Sequence, residues 1–186
     1  MDTTMRTGKK HIVFSRMIAL GLAMTMMAVS TPAVAAELKQ ILSQHGIQAI
    51  EPEVAASDFK LPTLQGSEIQ LSDTAGRWVL LTFFATWCGP CMHEMPSLQT
   101  FHETHHQQGV DLLAVSTDSS AAPVRTMARK MGITFPILMD SDGAIAQSYK
   151  ASSIPVSYLV SPEGKLVGIA RGARDWSKMQ RLVDTL

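Results

Sequence analysis

From residue 37 onward, apolar and polar positions follow one another in patterns that mark successive elements. Glu37 to Gln44 has helical spacing and is followed by Pro52 and small residues, so 37–57 is expected as a short lead-in. Phe59-Lys-Leu-Pro-Thr-Leu and Glu68-Ile-Gln-Leu alternate around Gln65-Gly66-Ser67, which predicts a hairpin. Trp78 to Phe84 is apolar almost throughout, the mark of a strand covered on both faces. A helix is predicted over Cys91–His106, where Met95, Leu98 and Phe101 or His102 recur at helical spacing and Gly109 stops it. Val110 to Ser116 reads as a second buried strand, and Ala121 to Met131 as a helix capped by Ser119 or Ser120 and ended by Gly132. Strand, helix and strand at this spacing form a crossover unit with parallel strands. Further on, Val156 to Val160 and Leu166 to Ala170 flank the turn Ser161-Pro-Glu-Gly164 and are expected to be antiparallel. An amphipathic helix over Trp176–Leu186 closes the chain.

The first 36 residues follow different rules. Arg6, Lys9, Lys10 and Arg16 precede a nearly uncharged stretch from Met17 to Val34, and the small residues Ala33 and Ala35 suit a signal peptidase. Residues 1–36 therefore read as a secretory signal peptide, with a retained membrane anchor as the alternative. Pro32, Ser30, Thr31 and Gly21 dilute the run, and its dense part, Met17 to Val29, is shorter than the roughly 20 apolar residues of a full span. Cleavage after Ala36 leaves 12 basic and 15 acidic residues, a formal charge of −3, and no basic patch for nucleic acid. At 186 residues the chain has room for one core, assigned to residues 58–186. Export leaves the two cysteines in a compartment where thiols tend to be oxidised.

Cys88 and Cys91 stand where a buried strand gives way to a helix. Free N–H groups and the positive dipole end of a helix stabilise an anion there by about 0.3 to 1 kcal/mol. The Cys88 thiolate is accordingly favoured and can attack a disulfide, while Cys91, one turn further in, can displace the resulting mixed disulfide. A purely structural disulfide is a poor alternative, because closing so short a loop gains about 2 kcal/mol where a fifteen-residue loop would gain about 3. His102, His105 and His106 follow and raise the possibility of a zinc site. A helix carrying both Cys91 and His102 separates them by roughly 16 Å, too far for one tetrahedral ion, which leaves the histidines as solvated helix-end residues. Covalent haem needs His after the second cysteine, and Met92 is there. The six methionines of the mature chain suggest copper less than packing, since Met95, Met127, Met131 and Met179 fall at core positions of helices.

Phe84-Ala-Thr-Trp-Cys-Gly-Pro-Cys-Met-His-Glu-Met-Pro resembles the active-site segment of the thioredoxin superfamily, most closely its exported TlpA and ResA-like branch. The resemblance runs from about Phe59 to Leu186 and includes Pro96 and Ser153-Ile-Pro-Val. It implies an α/β thioredoxin-like fold, a mixed central sheet flanked by helices with an N-terminal β-hairpin extension. It also implies a redox-active Cys88–Cys91 pair with no other cofactor or metal. Pro155 resembles the family's cis-proline, which with Ile154 presents backbone to a substrate strand beside Gly89 and Pro90. Trp87 resembles an aromatic shield over the nucleophile. Glu94 matches an acidic residue that can move protons at Cys91, with a solvated helix glutamate as the plain alternative. One departure is Thr82, six residues before Cys88, where cytoplasmic thioredoxins carry a buried Asp.

The expected function is an exported or membrane-anchored periplasmic disulfide reductase, monomeric and fed electrons by a membrane partner. Its expected substrates are protein disulfides, in cytochrome c maturation or related thiol reduction. An oxidase or isomerase in the same compartment is the alternative. A thiol peroxidase ranks lower, because its Pro-x-x-x-Thr-x-x-Cys pattern would need Pro and Thr where Leu81 and Ala85 stand. A non-enzymatic module on this fold would need neither cysteine.

Overall fold

The computed structural model describes residues 32–186, so the signal segment expected over 1–36 lies outside the described residues apart from Pro32 to Ala36. Helix α1 (Pro32–Gln44) leads into strand β1 (Gln48–Ala55), and β2 (Lys60–Pro62) and β3 (Glu68–Gln70) follow as a hairpin. Next come β4 (Trp78–Phe84), α2 (Gly89–His105), β5 (Val110–Ser116), α3 (Ala121–Met131), β6 (Ile137–Met139) and α4 (Ala144–Ser148). The chain closes with β7 (Val156–Val160), β8 (Lys165–Arg171) and α5 (Gln180–Val183).

Strands β4 and β5 are apolar on both faces because both faces are covered. They sit inside a six-stranded sheet of order β1-β8-β7-β4-β5-β6, with β4, β5 and β6 parallel and β7, β8 and β1 antiparallel. Successive side chains along a strand point to opposite faces, so each strand feeds two cores. Leu80, Phe84, Leu112 and Ala114 pack with residues of α1, α2, α3 and the C-terminal segment. Val79, Leu81, Phe83, Leu113 and Val115 pack with Phe59, Leu61 and Leu71 of the hairpin region and with Ala146 and Tyr149 around α4. The hairpin is the expected extension, a separate two-stranded sheet. Among the described residues, no helix is long and apolar enough to cross a membrane.

The segment 37–57, expected as a lead-in outside the domain, is built into it. Ile41, Leu42 and Ile47 belong to the α2-side core, and β1 forms the edge of the sheet against β8. Strand β1 escaped the sequence reading because its side chains are mostly exposed and its attachment is made by backbone; Pro52 sits where the register shifts between Ala49 and Val54. Strand β6 and helix α4 are too short for periodicity to mark. The closing helix is also shorter than expected. Trp176–Lys178 forms a 3₁₀ turn capped by Asp175, and Met179, at φ −97° and ψ 11°, separates it from α5. Trp176, Met179, Leu182 and Val183 are nonetheless all buried, so the apolar spacing was real while the regular helix was not. Met131 is exposed rather than a core residue, because it lies on the last turn of α3 beyond the buried Val124 and Met127.

Helix α1 reaches the sheet through a gap left by Gly168 of β8. A Cβ there would stand 2.9 Å from Ile47 Cγ2 and 3.5 Å from Leu42 Cδ2. Gly168→Ala should therefore destabilise the protein by about 1 to 3 kcal/mol, the usual cost of overpacking a filled core. Denaturant unfolding of the two proteins measures this, and an unchanged midpoint would show that the α1–β1 turn gives way freely.

Candidate active site

Strand β4 ends at Phe84, and the chain must turn within Ala85 to Cys88 before α2 starts at Gly89. Asp118, buried just past the end of β5, holds that turn. Its carboxylate accepts from the Thr86 amide at 2.9 Å, the Thr86 hydroxyl at 2.6 Å and the Ser116 hydroxyl at 2.8 Å. The turn delivers Cys88 as the N-cap of α2, with Pro90 in the first helical turn, where a missing N–H costs nothing. Cys88 Sγ accepts from the Cys91 amide at 3.2 Å and is joined to Cys91 Sγ by a disulfide. Cys91 is fully buried while Cys88 keeps an edge at the surface beside exposed Gly89 and Pro90.

Two further predicted residues meet this edge. Trp87 is 74% exposed next to Cys88. The Ile154–Pro155 peptide bond is cis, and the Ile154 carbonyl oxygen lies 3.7 Å from Cys88 Sγ. An open depression of about 490 Å³ runs against Trp87 and Ile154 toward Thr117, Gln147 and Lys150.

Glu94, one turn beyond Cys91, is not a solvated helix residue. It is 2% exposed. Its Oε2 accepts from the Arg174 amide and from the Trp176 indole N–H, both at 3.2 Å, while Oε1 is buried without a partner. Burial pushes its carboxyl up to about 7, against the pull of those two donors and of the Arg174 charge. Thr82 is buried on the same face of the sheet, accepting from the Ser157 hydroxyl at 2.8 Å across the β4–β7 pair. Glu94, three residues past Cys91 and buried on the same helix, places an ionisable oxygen on the face of α2 that carries Cys91.

Residues 52–169 match the AhpC/TSA family. The chain belongs to this family. Within it, the chain is 34% identical over 127 residues to the thiol-disulfide oxidoreductase ResA of Bacillus subtilis (strain 168), covering 68% of this chain and 71% of that protein. It is 35% identical over 130 residues to the ResA of Oceanobacillus iheyensis, covering 68% of each. Among solved structures, StoA of Bacillus subtilis superposes with a TM-score of 0.61 at 26% identity, covering 68% of this chain and 96% of that one. A Chlorobium tepidum protein described as the thiol:disulfide interchange protein DsbE gives 0.66 at 26% identity, covering 74% and 96%. This AhpC/TSA member is thus a thioredoxin-like thiol-disulfide oxidoreductase of the ResA type, and its chemistry resides in a cysteine pair.

His102, His105 and His106, weighed as metal ligands in the sequence, stand at the opposite end of α2 from the cysteines. They are not uniformly solvated as expected. His105 is 1% exposed, stacked edge-on against Phe101, while His106 meets Asp111 at 2.9 Å. Among the described residues, no cluster of three or more His, Cys, Asp or Glu is placed to hold a metal ion. Three residues the sequence reading did not single out for the site contribute to it: Asp118, Arg174 and Trp176. Asp118 carried a usable signal, an acid between small hydroxyl residues just after a buried strand. Arg174 and Trp176 carried none, because they reach Glu94 from eighty or more positions away.

The raised Glu94 carboxyl has a consequence for stability. In the folded protein it holds its proton up to about pH 7, and in the unfolded chain only to about 4.5. The folded state therefore binds more protons between those values, and stability falls as pH rises through that window, by up to about 3 kcal/mol. Unfolding of the oxidised protein, in which no thiol titrates, should show this loss between pH 4.5 and 7 in wild type and lack it in Glu94→Gln. Parallel stability curves would place Glu94 in contact with water.

Proposed function

We propose that the protein is an exported disulfide reductase, in which Cys88 attacks protein disulfides, Cys91 resolves the adduct and Glu94 takes the proton that Cys91 gives up. The observation that carries this reading is the state of the two sulfurs: Cys88 caps a helix N-terminus at the surface, and Cys91 is sealed behind it. In the dithiol form, the Cys88 thiolate gains the Cys91 N–H and the dipole end of α2, which favours the anion needed for attack. It attacks one sulfur of a substrate disulfide, forms a Cys88–substrate S–S bond and expels the other substrate sulfur as a thiolate. Cys91, unable to reach a substrate from its buried site, then attacks Cys88 Sγ. The Cys88–Cys91 bond forms, the mixed disulfide breaks and its electron pair leaves on the second substrate sulfur. The substrate ends as two thiols and the enzyme as a disulfide. A membrane electron donor would restore the dithiol, and no metal or organic cofactor takes part.

Resolution requires Cys91 to lose a proton. A carboxyl held near neutrality suits that transfer, because a base works best when its own pKa lies close to the working pH. The proton can pass to the departing substrate thiolate once the second bond has broken. Trp87, Gly89, Pro90, Ile154 and cis-Pro155 surround the surface edge of Cys88 and would bind the substrate chain by its backbone and apolar side chains. Export, with the periplasm as destination and the apocytochrome or other thiol proteins as substrates, rests on residues 1–36 and on the resemblance to the ResA-like branch. The peroxidase reading finds no support at this site, since Leu81 and Ala85 are fully buried apolar residues where that chemistry calls for Pro and Thr.

Cys88→Ala should abolish reduction of an insulin-type substrate, and retained activity would sink the assignment. Cys91→Ser should still attack once and then accumulate a covalent adduct, which mass spectrometry of the exporting cell's captured proteins can identify. The equilibrium potential of the pair should lie nearer the roughly −270 mV of thioredoxin than the roughly −120 mV of a strong oxidant. A value on the oxidising side of about −180 mV would favour an isomerase or oxidase. Glu94→Gln should leave the attack by Cys88 intact and slow resolution by about tenfold to a thousandfold at neutral pH. Alkaline buffer should rescue it, because hydroxide then deprotonates the Cys91 thiol without the carboxylate. Single-turnover rates that overlay at every pH would remove Glu94 from the mechanism.

A further inference from the structure

Arg174 spends its guanidinium on main chain rather than on a carboxylate. Nη1 donates to the carbonyls of His45 and Gly46 at 2.9 and 3.0 Å, and Nη2 to that of Arg171 at 3.2 Å. The first two belong to the turn between α1 and β1, the third to the end of β8. The guanidinium carbon also lies 5.4 Å from the centroid of the Trp176 ring. From this anchored position, the residue's own amide and the Trp176 indole supply both N–H donors to Glu94 Oε2. Ser97 closes the ring, its hydroxyl donating to the Glu94 carbonyl at 2.8 Å and accepting from the Trp176 amide at 3.1 Å.

We infer that Arg174 is a positioning residue for the exchange reaction: anchored to the α1–β1 turn, it holds the two donors that fix Glu94 Oε2 and leaves Oε1 buried without a partner. This rests on the reading of Glu94 as the proton carrier. It gives the N-terminal segment a part in a site to which it contributes no side chain. The groups around Glu94 are few: Arg174 and Trp176 from the loop after β8, Ser97 and Cys91 from its own helix, and the His45 carbonyl behind Arg174. Arg174 is the charged group among the causes acting on the carboxyl. Removing it withdraws a nearby positive charge and loosens two hydrogen bonds to the anion, both of which favour the neutral acid.

The test follows the Glu94 carboxyl by carbon NMR through a pH titration of the oxidised full-length protein, with Glu94→Gln assigning the signal. Arg174→Ala should raise the midpoint by about one unit. In single turnover it should slow resolution by Cys91 about tenfold more than attack by Cys88, in the range expected for a misplaced catalytic group. Added to Glu94→Gln it should slow resolution no further, because its effect passes through Glu94; an additive loss would mark a general structural defect and overturn the inference. Arg174→Lys, which keeps the charge on a folded scaffold but cannot bridge three carbonyls, should recover only part of the shift. Full recovery by lysine would assign the effect to charge and overturn the anchoring role. An unmoved midpoint overturns Arg174's part alone. A moved midpoint with resolution indifferent to Glu94→Gln would instead overturn the proton role of Glu94 and, with it, the catalytic meaning of Arg174.

Discussion

The junction between β4 and α2 has to present one sulfur to a substrate while closing everything behind it, and most of the molecule is arranged around that requirement. A strand buried on both faces can end in a helix only if the first turn of the helix finds acceptors for its free N–H groups. Here one of those acceptors is Cys88 Sγ itself, taking the Cys91 amide at 3.2 Å. The same bond that starts the helix therefore stabilises the charge the reaction needs. Its geometry depends on the turn before it, which Asp118 grips through Thr86, and on the loop opposite, where Ile154 brings its carbonyl to the sulfur. Ile154 also packs against both cores, so the substrate-facing loop is tied to each layer of the fold.

Glu94 is the place where the structure departs from what burial alone would choose. A carboxyl with one oxygen unpartnered inside a core raises the energy of its ionised form, and its titration near 7 expresses that cost. A glutamine, which could still accept from the Arg174 and Trp176 donors, would avoid that cost above neutral pH. The departure has a local logic. The sheet position beside the helix carries Thr82, bonded to Ser157, and neither hydroxyl takes a proton at neutral pH. With no proton acceptor at Thr82 or Ser157, the proton role proposed above rests on the helix, at a position one turn past the second cysteine.

Much of this was legible in the sequence, and the parts that were not share a cause. Cys88, Cys91, Trp87 and Pro155 lie in short contiguous motifs beside the ends of β4 and β7, and β4 and its neighbour β5 are long and apolar. The Ile154–Pro155 cis bond and the nearness of Ile154 to Cys88 were expected from the resemblance, not from spacing. What escaped depended on contacts between distant segments. The edge strand β1 is held by backbone bonds to β8 and shows solvent-facing side chains, so no periodicity announces it. The burial of Glu94 is created by Trp176 and Arg174, and no local pattern in His-Glu-Met-Pro-Ser distinguishes a buried glutamate from an exposed one. The closing segment shows the opposite error. Its apolar spacing fits a long helix, yet the ring of bonds through Trp176, Ser97 and Glu94 holds its first turn in a tighter geometry.

The two cores divide the work unequally. Trp176, Cys91 and the α1 residues Ile41 and Leu42 pack in the core that carries α2, and Glu94 is bonded to Trp176, so the buried sulfur and the buried carboxyl share one layer. The opposite layer, built from the hairpin and α4, holds Tyr149 and Tyr158 in a chain of bonds. Tyr158 donates to the Tyr149 carbonyl, and Tyr149 donates to that of Ser57 at 2.6 Å. Those bonds tie the segment just before the hairpin to the residues leading into Ile154 and Pro155. On the reading proposed above, one layer governs the chemistry at the sulfurs, while the Tyr149 and Tyr158 bonds of the other hold the loop that leads to Ile154 and Pro155.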